Sequence, residues 1–169
     1  MFLNKAINTK KAKKDKNANT CGGVVKLIYA NAPKEIQSTE LIKFSCKFAT
    51  TALKKEGVNP PCVYSFSAEY QDDKVKCCAF SNSRSGHSVN KSWICLADFM
   101  SELEKLLRER NISNHNGYYH TVSGLPYFFG STLEAHFKSG EKIEFHDNQR
   151  NLLDVDTMQA LCKLFCIDS

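Results

Sequence analysis

Six stretches of this chain set apolar side chains at every second position, a spacing that suits β-strands with one face buried and the other wet. The cleanest is Ile42, Phe44, Cys46 and Phe48, with Lys43, Ser45 and Lys47 between them. Val25, Leu27 and Tyr29 come before it. Tyr64, Phe66, Ala68 and Tyr70 come after, and the polar turn Gln71-Asp72-Asp73 leads into Val75, Cys77 and Ala79 as the return arm of a hairpin. Leu133, Ala135 and Phe137, then Ile143 and Phe145 beyond Ser139-Gly140-Glu141, make a second hairpin. Centring it on Gly140 sets Phe137 opposite Ile143 and Ala135 opposite Phe145, and a slip of one residue would turn every one of these side chains to the wrong face. Residues 82–90, polar and serine-rich, and the passage from Asn114 to Gly124, with Asn116-Gly117 suited to a tight turn, read as loops.

Two segments change to the helical period. Leu96, Phe99, Met100, Leu103, Leu106 and Leu107 form one stripe, with Glu102, Glu104, Lys105, Arg108 and Glu109 on the opposite side and Asn111 as the stop. Near the end, Asp154 is a suitable N-cap for a helix whose apolar face is Val155, Met158, Leu161, Cys162 and Phe165. The expected fold is α+β, an antiparallel sheet of about five to seven strands with two helices packed on one face. The other face is then open to a partner.

Charge divides the chain. The net +5 is carried by residues 1–20, where Lys5, Lys10, Lys11, Lys13, Lys14 and Lys16 face only Asp15, and the rest of the chain is balanced. Residues 1–23 show no strand or helical period and read as a disordered basic leader, with residues 24–169 as a single α+β domain. Apolar runs are too short for a secretory signal or a membrane span, so the expected setting is cytoplasmic, away from membranes. The eight cysteines contain no C-x-x-C and fall mostly inside apolar patterns, which reads as small buried hydrophobes in a reducing compartment. Cys162 and Cys166, four apart, would lie on one side of a helix if it ran through both.

From the first helix onward the chain resembles an uncharacterised α+β domain of clostridial and related Gram-positive bacterial proteins. The matching residues are Asn111-Ile112, Asn116-Gly117, Gly130-Ser131-Thr132-Leu133 and Gly140-Glu141-Lys142-Ile143, over residues 96–166, with a weaker echo in the hairpin of residues 62–81. The resemblance implies a fold and brings no catalytic set.

Candidate functional residues fall in three groups. In the register centred on Gly140, His136 stands across from Glu144 and Glu134 across from His146, a face suited to cross-strand pairing, zinc binding or acid–base chemistry. Tyr118, Tyr119 and Trp93 lie in or beside turn-rich segments and suit a contact surface for a partner. Lys10, Lys11, Lys13 and Lys14 would attract phosphate without regard to sequence. No nucleophile elbow, P-loop, H-E-x-x-H or dinucleotide fingerprint occurs, so no catalytic, cofactor or metal residue is assigned. The favoured reading is a small non-catalytic protein-binding or accessory domain of bacterial or mobile-element origin, with an unidentified protein partner. A nucleic-acid-associated protein, or an inhibitor of a nucleic-acid-processing complex, acting through the lysines, and a metal-dependent enzyme at the His/Glu hairpin stand as alternatives.

Overall fold

The computed structural model describes residues 23–50, 53, 62–83, 86–124 and 130–167. The leader, with Lys10, Lys11, Lys13 and Lys14, lies outside them. In chain order the elements are strands β1 (Val24–Ile28), β2 (Leu41–Thr50), β3 (Cys62–Gln71), β4 (Lys74–Ser83) and β5 (Ser88–Cys95), helix α1 (Asp98–Glu109), a 3-10 turn at Ile112–His115, strands β6 (Tyr118–Val122), β7 (Gly130–Phe137) and β8 (Lys142–Asp147), and helix α2 (Val155–Leu164). One eight-stranded sheet runs β1-β6-β8-β7-β2-β3-β4-β5. Every neighbouring pair is antiparallel except β6 and β8, which are parallel. The sheet is therefore larger than the expected five to seven strands, and mixed. The extra strands are β5, which begins inside the polar stretch 82–90 that reads as loop and runs beyond it, and β6, which lies within the turn-rich passage 114–124.

Alternation places the core. Phe44, Cys46 and Phe48 of β2, Tyr64, Phe66 and Ala68 of β3, Val75, Cys77 and Ala79 of β4, Leu133, Ala135 and Phe137 of β7, and Ile143 and Phe145 of β8 are all buried in one cluster. Ile42 departs from the alternation. The register between β2 and β7 shifts between Leu41 and Lys43, so Ile42 is the extra residue of a bulge and is exposed, while Leu41 turns into the core.

Both helices cover this one face. Met100, Leu103 and Leu107 of α1 and Met158, Leu161 and Cys162 of α2 join the same cluster. Phe165, which caps α2, is fully buried and lies within ring contact of Phe44, Phe66, Trp93 and Phe99. The Asp154 side chain accepts the Thr157 N–H at 2.6 Å and opens α2 as an N-cap. Leu96 fits the helical spacing but precedes α1 and is 71% exposed. Asn111, in the left-handed region at φ 51°, ends α1 and turns the chain into the 3-10 segment. No described helix is long and apolar enough to cross a membrane.

The short parallel junction is completed by two asparagines. Only Tyr119 with His146 and His120 with Asp147 pair across β6 and β8. Before β6, the buried Asn116 side chain donates to the carbonyls of Pro33 and Lys142 and accepts from the Glu144 N–H, all at 2.8–2.9 Å. After β8, the Asn148 side chain accepts from the Val122 N–H and donates to the Val122 carbonyl, both at 2.9 Å. Each amide stands in for a stretch of backbone and satisfies donors and acceptors that a two-residue ladder would leave buried.

Phe165→Ala should lower stability by about 3–5 kcal/mol, the range for deleting a buried aromatic ring. Leu96→Ala should change it by less than about 0.5 kcal/mol, as expected at an exposed position. Urea unfolding of the two variants checks both values, and a large loss at Leu96 would contradict the placement of α1.

Candidate functional site

The face of the sheet opposite the helices carries the polar positions of each strand, and its chemistry concentrates where β6, β8 and β7 run side by side. The turn of the second hairpin decides which residues meet there. The Phe137 N–H donates to the Glu141 carbonyl and the Gly140 N–H to the Phe137 carbonyl, with Gly140 at φ 88°. This is a three-residue loop, Lys138-Ser139-Gly140, with glycine in its left-handed position. The loop is centred on Ser139, so the ladder is displaced by two residues from one centred on Gly140. Ala135 faces Ile143 and Leu133 faces Phe145. A displacement of two leaves every side chain on its expected face but changes every partner.

The two expected His/Glu pairs are thereby undone. Glu134 stands opposite Glu144, His136 opposite Lys142, and His146 opposite Thr132, whose Oγ1 is 2.9 Å from the imidazole Nδ1. His136 Nε2 is 3.9 Å from Glu134 Oε2 on its own strand. Among the described residues no three His, Cys, Asp or Glu side chains are grouped closely enough to hold a metal ion.

In place of those pairs, the geometry builds an aromatic and acidic groove. Tyr119 is opposite Leu27 of β1 and His146 of β8, which points its ring over the open face. Tyr29, just past β1, is fixed by its N–H to the Gly117 carbonyl, and its ring meets Tyr119 edge to face with centroids 5.5 Å apart. Ala32, Pro33, Asn116, Gly117, Lys142 and Glu144 complete a groove of about 470 Å³. Glu144 accepts hydrogen bonds from the Lys142 ammonium and the Tyr119 hydroxyl. The Lys142 hydrogen bond is the main reason its carboxyl is held below the usual carboxylate range, with the Tyr119 hydroxyl, the Lys142 charge and His136 adding to it against the effect of burial. Burial first, and then the Glu144 hydrogen bond and charge, push the Tyr119 phenol well above its ordinary value. The groove thus keeps a carboxylate and a neutral phenol side by side at neutral pH.

Glu134 and Glu144 directly opposite each other is an arrangement that disfavours folding unless cations offset it. Lys142 supplies one cation on Glu144.

The other candidates are placed elsewhere. Tyr118 points to the opposite side from Tyr119, half-buried, with Lys26 Nζ at 6.0 Å and Arg150 Cζ at 5.9 Å from its ring centroid. Trp93 is partly buried against the core, edge-on to Phe165 at 6.2 Å. The three aromatic residues therefore do not form one surface. His120 Nδ1 lies 3.3 Å from Oδ1 of the buried Asp147, but that oxygen also accepts the N–H groups of Gln149 and Arg150, which makes the aspartate the organiser of a turn. Cys162 and Cys166 part company because α2 ends at Leu164. Cys166 takes a left-handed φ of 53° and is exposed, while Cys162 is buried near Cys46, whose thiol is pushed far up by burial and then by Cys162.

Tyr29 and Lys142 are the groove residues that sequence reasoning passes over. Each reads as an ordinary strand position, and what brings them together is the pairing of β1 with β6 and of β6 with β8, which no local pattern reports. No protein-family model, curated protein or solved structure matches this chain significantly.

Glu144→Gln should bring the Tyr119 phenol down toward the ordinary tyrosine value without reaching it, because burial remains. A pH titration of tyrosine absorbance or of the ring NMR signals reads this directly. In the parent chain the Glu144 interactions are at full strength above the ordinary carboxylate range and are lost as pH falls through the depressed Glu144 value, so the Gln variant should show a weaker acid dependence of melting in that window.

Proposed function

We propose that this chain is a non-catalytic protein-binding module of the clostridial type its second half resembles, and that it takes its partner in the Tyr29–Tyr119 groove on the open sheet face. The observation that carries this reading is the groove itself: two tyrosines at right angles, an adjoining proline and alanine, and a carboxylate whose ionised form is favoured, all on the face that neither described helix covers. Aromatic side chains supply large contact area at low entropic cost, which suits them to partner recognition.

The chemistry favours a partner segment that presents an arginine. A guanidinium stacks flat on a tyrosine ring and donates in a fork to carboxylates. Glu144 at the groove and Glu134 directly across from it offer two carboxylates to such a group, and a second cation would relieve their mutual repulsion. Apolar side chains flanking the arginine would fill the space beside Pro33 and Ala32.

A displayed library of random peptides, selected on the full chain, tests this. Enriched peptides should carry an arginine next to an apolar residue. Tyr119→Ala and Glu144→Gln should each reduce their retention by about tenfold or more, the effect expected at a central contact. Glu144→Gln keeps the size and shape of the side chain, so the variant should stay folded at neutral pH, with its melting lowered only by the loss of the carboxylate's interactions with Lys142 and Tyr119. Retention unaffected by either variant overturns the reading. If the chain instead retains duplex DNA in a salt-sensitive manner and loses it on deletion of residues 1–20, the lysine-rich segment is the functional part and the nucleic-acid alternative holds.

A further inference from the structure

The hairpin of β4 and β5 carries a pair of thiols far from the groove in the order of strands. Cys77 stands opposite Trp93 and Val75 opposite Cys95, so Cys77 and Cys95 are diagonal neighbours on the core side of the hairpin. Their Sγ atoms are 3.3 Å apart. A disulfide is about 2.05 Å long, so closing the bond needs an approach of only about 1.3 Å. The two sites differ in access. Cys77 is fully buried, whereas Cys95 is partly exposed on β5, which pairs with β4 alone and forms one border of the sheet. Beside it Ile94 and Leu96 are exposed. Cys78, adjacent in sequence, points through the other face, with its Sγ 3.6 Å from Ser92 Oγ, and so does not compete for Cys95.

We propose that Cys77 and Cys95 are a thiol–disulfide exchange site that closes reversibly when a small disulfide such as oxidised glutathione is present. Cys95, the accessible thiol, gives its proton to solvent, and its thiolate attacks one sulfur of the oxidant. The oxidant's S–S bond breaks, one glutathione leaves as a thiolate and takes up a proton, and Cys95 is left in a mixed disulfide. Cys77 then loses its proton and attacks Cys95 Sγ, releasing the second glutathione. Two protein thiols are oxidised by two electrons in all, and one glutathione disulfide is reduced to two thiols. Burial, and then the neighbouring Cys95, hold the Cys77 thiol well above the ordinary range, so the second exchange is the slow one. Local opening of a border strand held on one side only gives it the access it needs. Closure ties β5 to β4 by a covalent bond.

The test uses the full chain with Cys78→Ser, so that the tryptic peptide beginning at Cys77 holds one cysteine. The reduced protein is equilibrated at graded ratios of oxidised to reduced glutathione, quenched with acid, alkylated and mapped by mass spectrometry. The expected result is a Cys77–Cys95 linked peptide that increases with the ratio and disappears with dithiothreitol. Trp93, the single tryptophan of the chain, lies opposite Cys77 and two residues from Cys95, so its fluorescence should change at the same ratio. Both signals should vanish in Cys95→Ser, and in Cys95→Ala should the serine variant fail to fold. The proposal is overturned if Cys95 stops at the mixed disulfide or stays reduced at ratios that fully modify the exposed Cys166. It is equally overturned if a different pair of cysteines accounts for the oxidised product.

Discussion

Everything in this fold hangs on the burial of one side of the sheet beneath two helices, and that burial converges on a single ring. Phe165 sits where β2, β3, β5 and both helices meet, stacked on Phe44 and Phe66 and approached edge-on by Trp93 and Phe99. Flat rings in offset and perpendicular contact fill an interior at high density while leaving little rotational freedom. The helices are short, and α1 lacks a side-chain N-cap, so neither would hold its shape well in isolation. Their stability comes from the apolar stripe that the sheet demands of them.

Where a strand has one wet face and one dry face, its place was legible in the sequence. Phe44, Cys46 and Phe48 announce β2, and Tyr64, Phe66 and Ala68 announce β3, because alternation is what burial of one face requires. β5 escapes the rule since it lies at the border of the sheet and needs little apolar surface: its eight residues include Ser88, Asn90, Lys91 and Ser92. A different signal marks it. The Ser83 N–H donates to the His87 carbonyl and the Gly86 N–H to the Ser83 carbonyl, the same frame that closes the second hairpin. In the sequence both left-handed glycines follow a cation and a serine, Arg84-Ser85 before Gly86 and Lys138-Ser139 before Gly140. Taking the glycine of that shared order as the end of the turn, where the chain starts back, would have found β5 and also set the register of the second hairpin correctly.

The groove was legible only in part. Tyr119 and Glu144 stand out as an aromatic residue near a tight turn and a carboxylate on an outward face. That they touch depends on β6 entering the sheet between β1 and β8, a long-range arrangement of the chain. The one parallel contact of the sheet is therefore what assembles the groove. It is short, and it survives because Asn116 and Asn148 supply side-chain amides where the backbone ladder stops.

Asn116 precedes a glycine, and an asparagine in that position is prone to spontaneous chemical ageing: the glycine nitrogen attacks the side-chain carbon, ammonia leaves, and a cyclic imide opens to aspartate or isoaspartate. In the folded chain the attacking nitrogen is engaged, since the Gly117 N–H donates to the Glu144 carbonyl at 2.8 Å, and the amide under attack is held by its own hydrogen bonds. Folding therefore disfavours the reaction at a residue whose side-chain amide helps to complete the β6–β8 junction. A chain that reacts while unfolded carries a carboxylate there, which cannot donate to the Pro33 and Lys142 carbonyls. The fraction of chains converted at position 116 therefore follows the time a population has spent outside its native state.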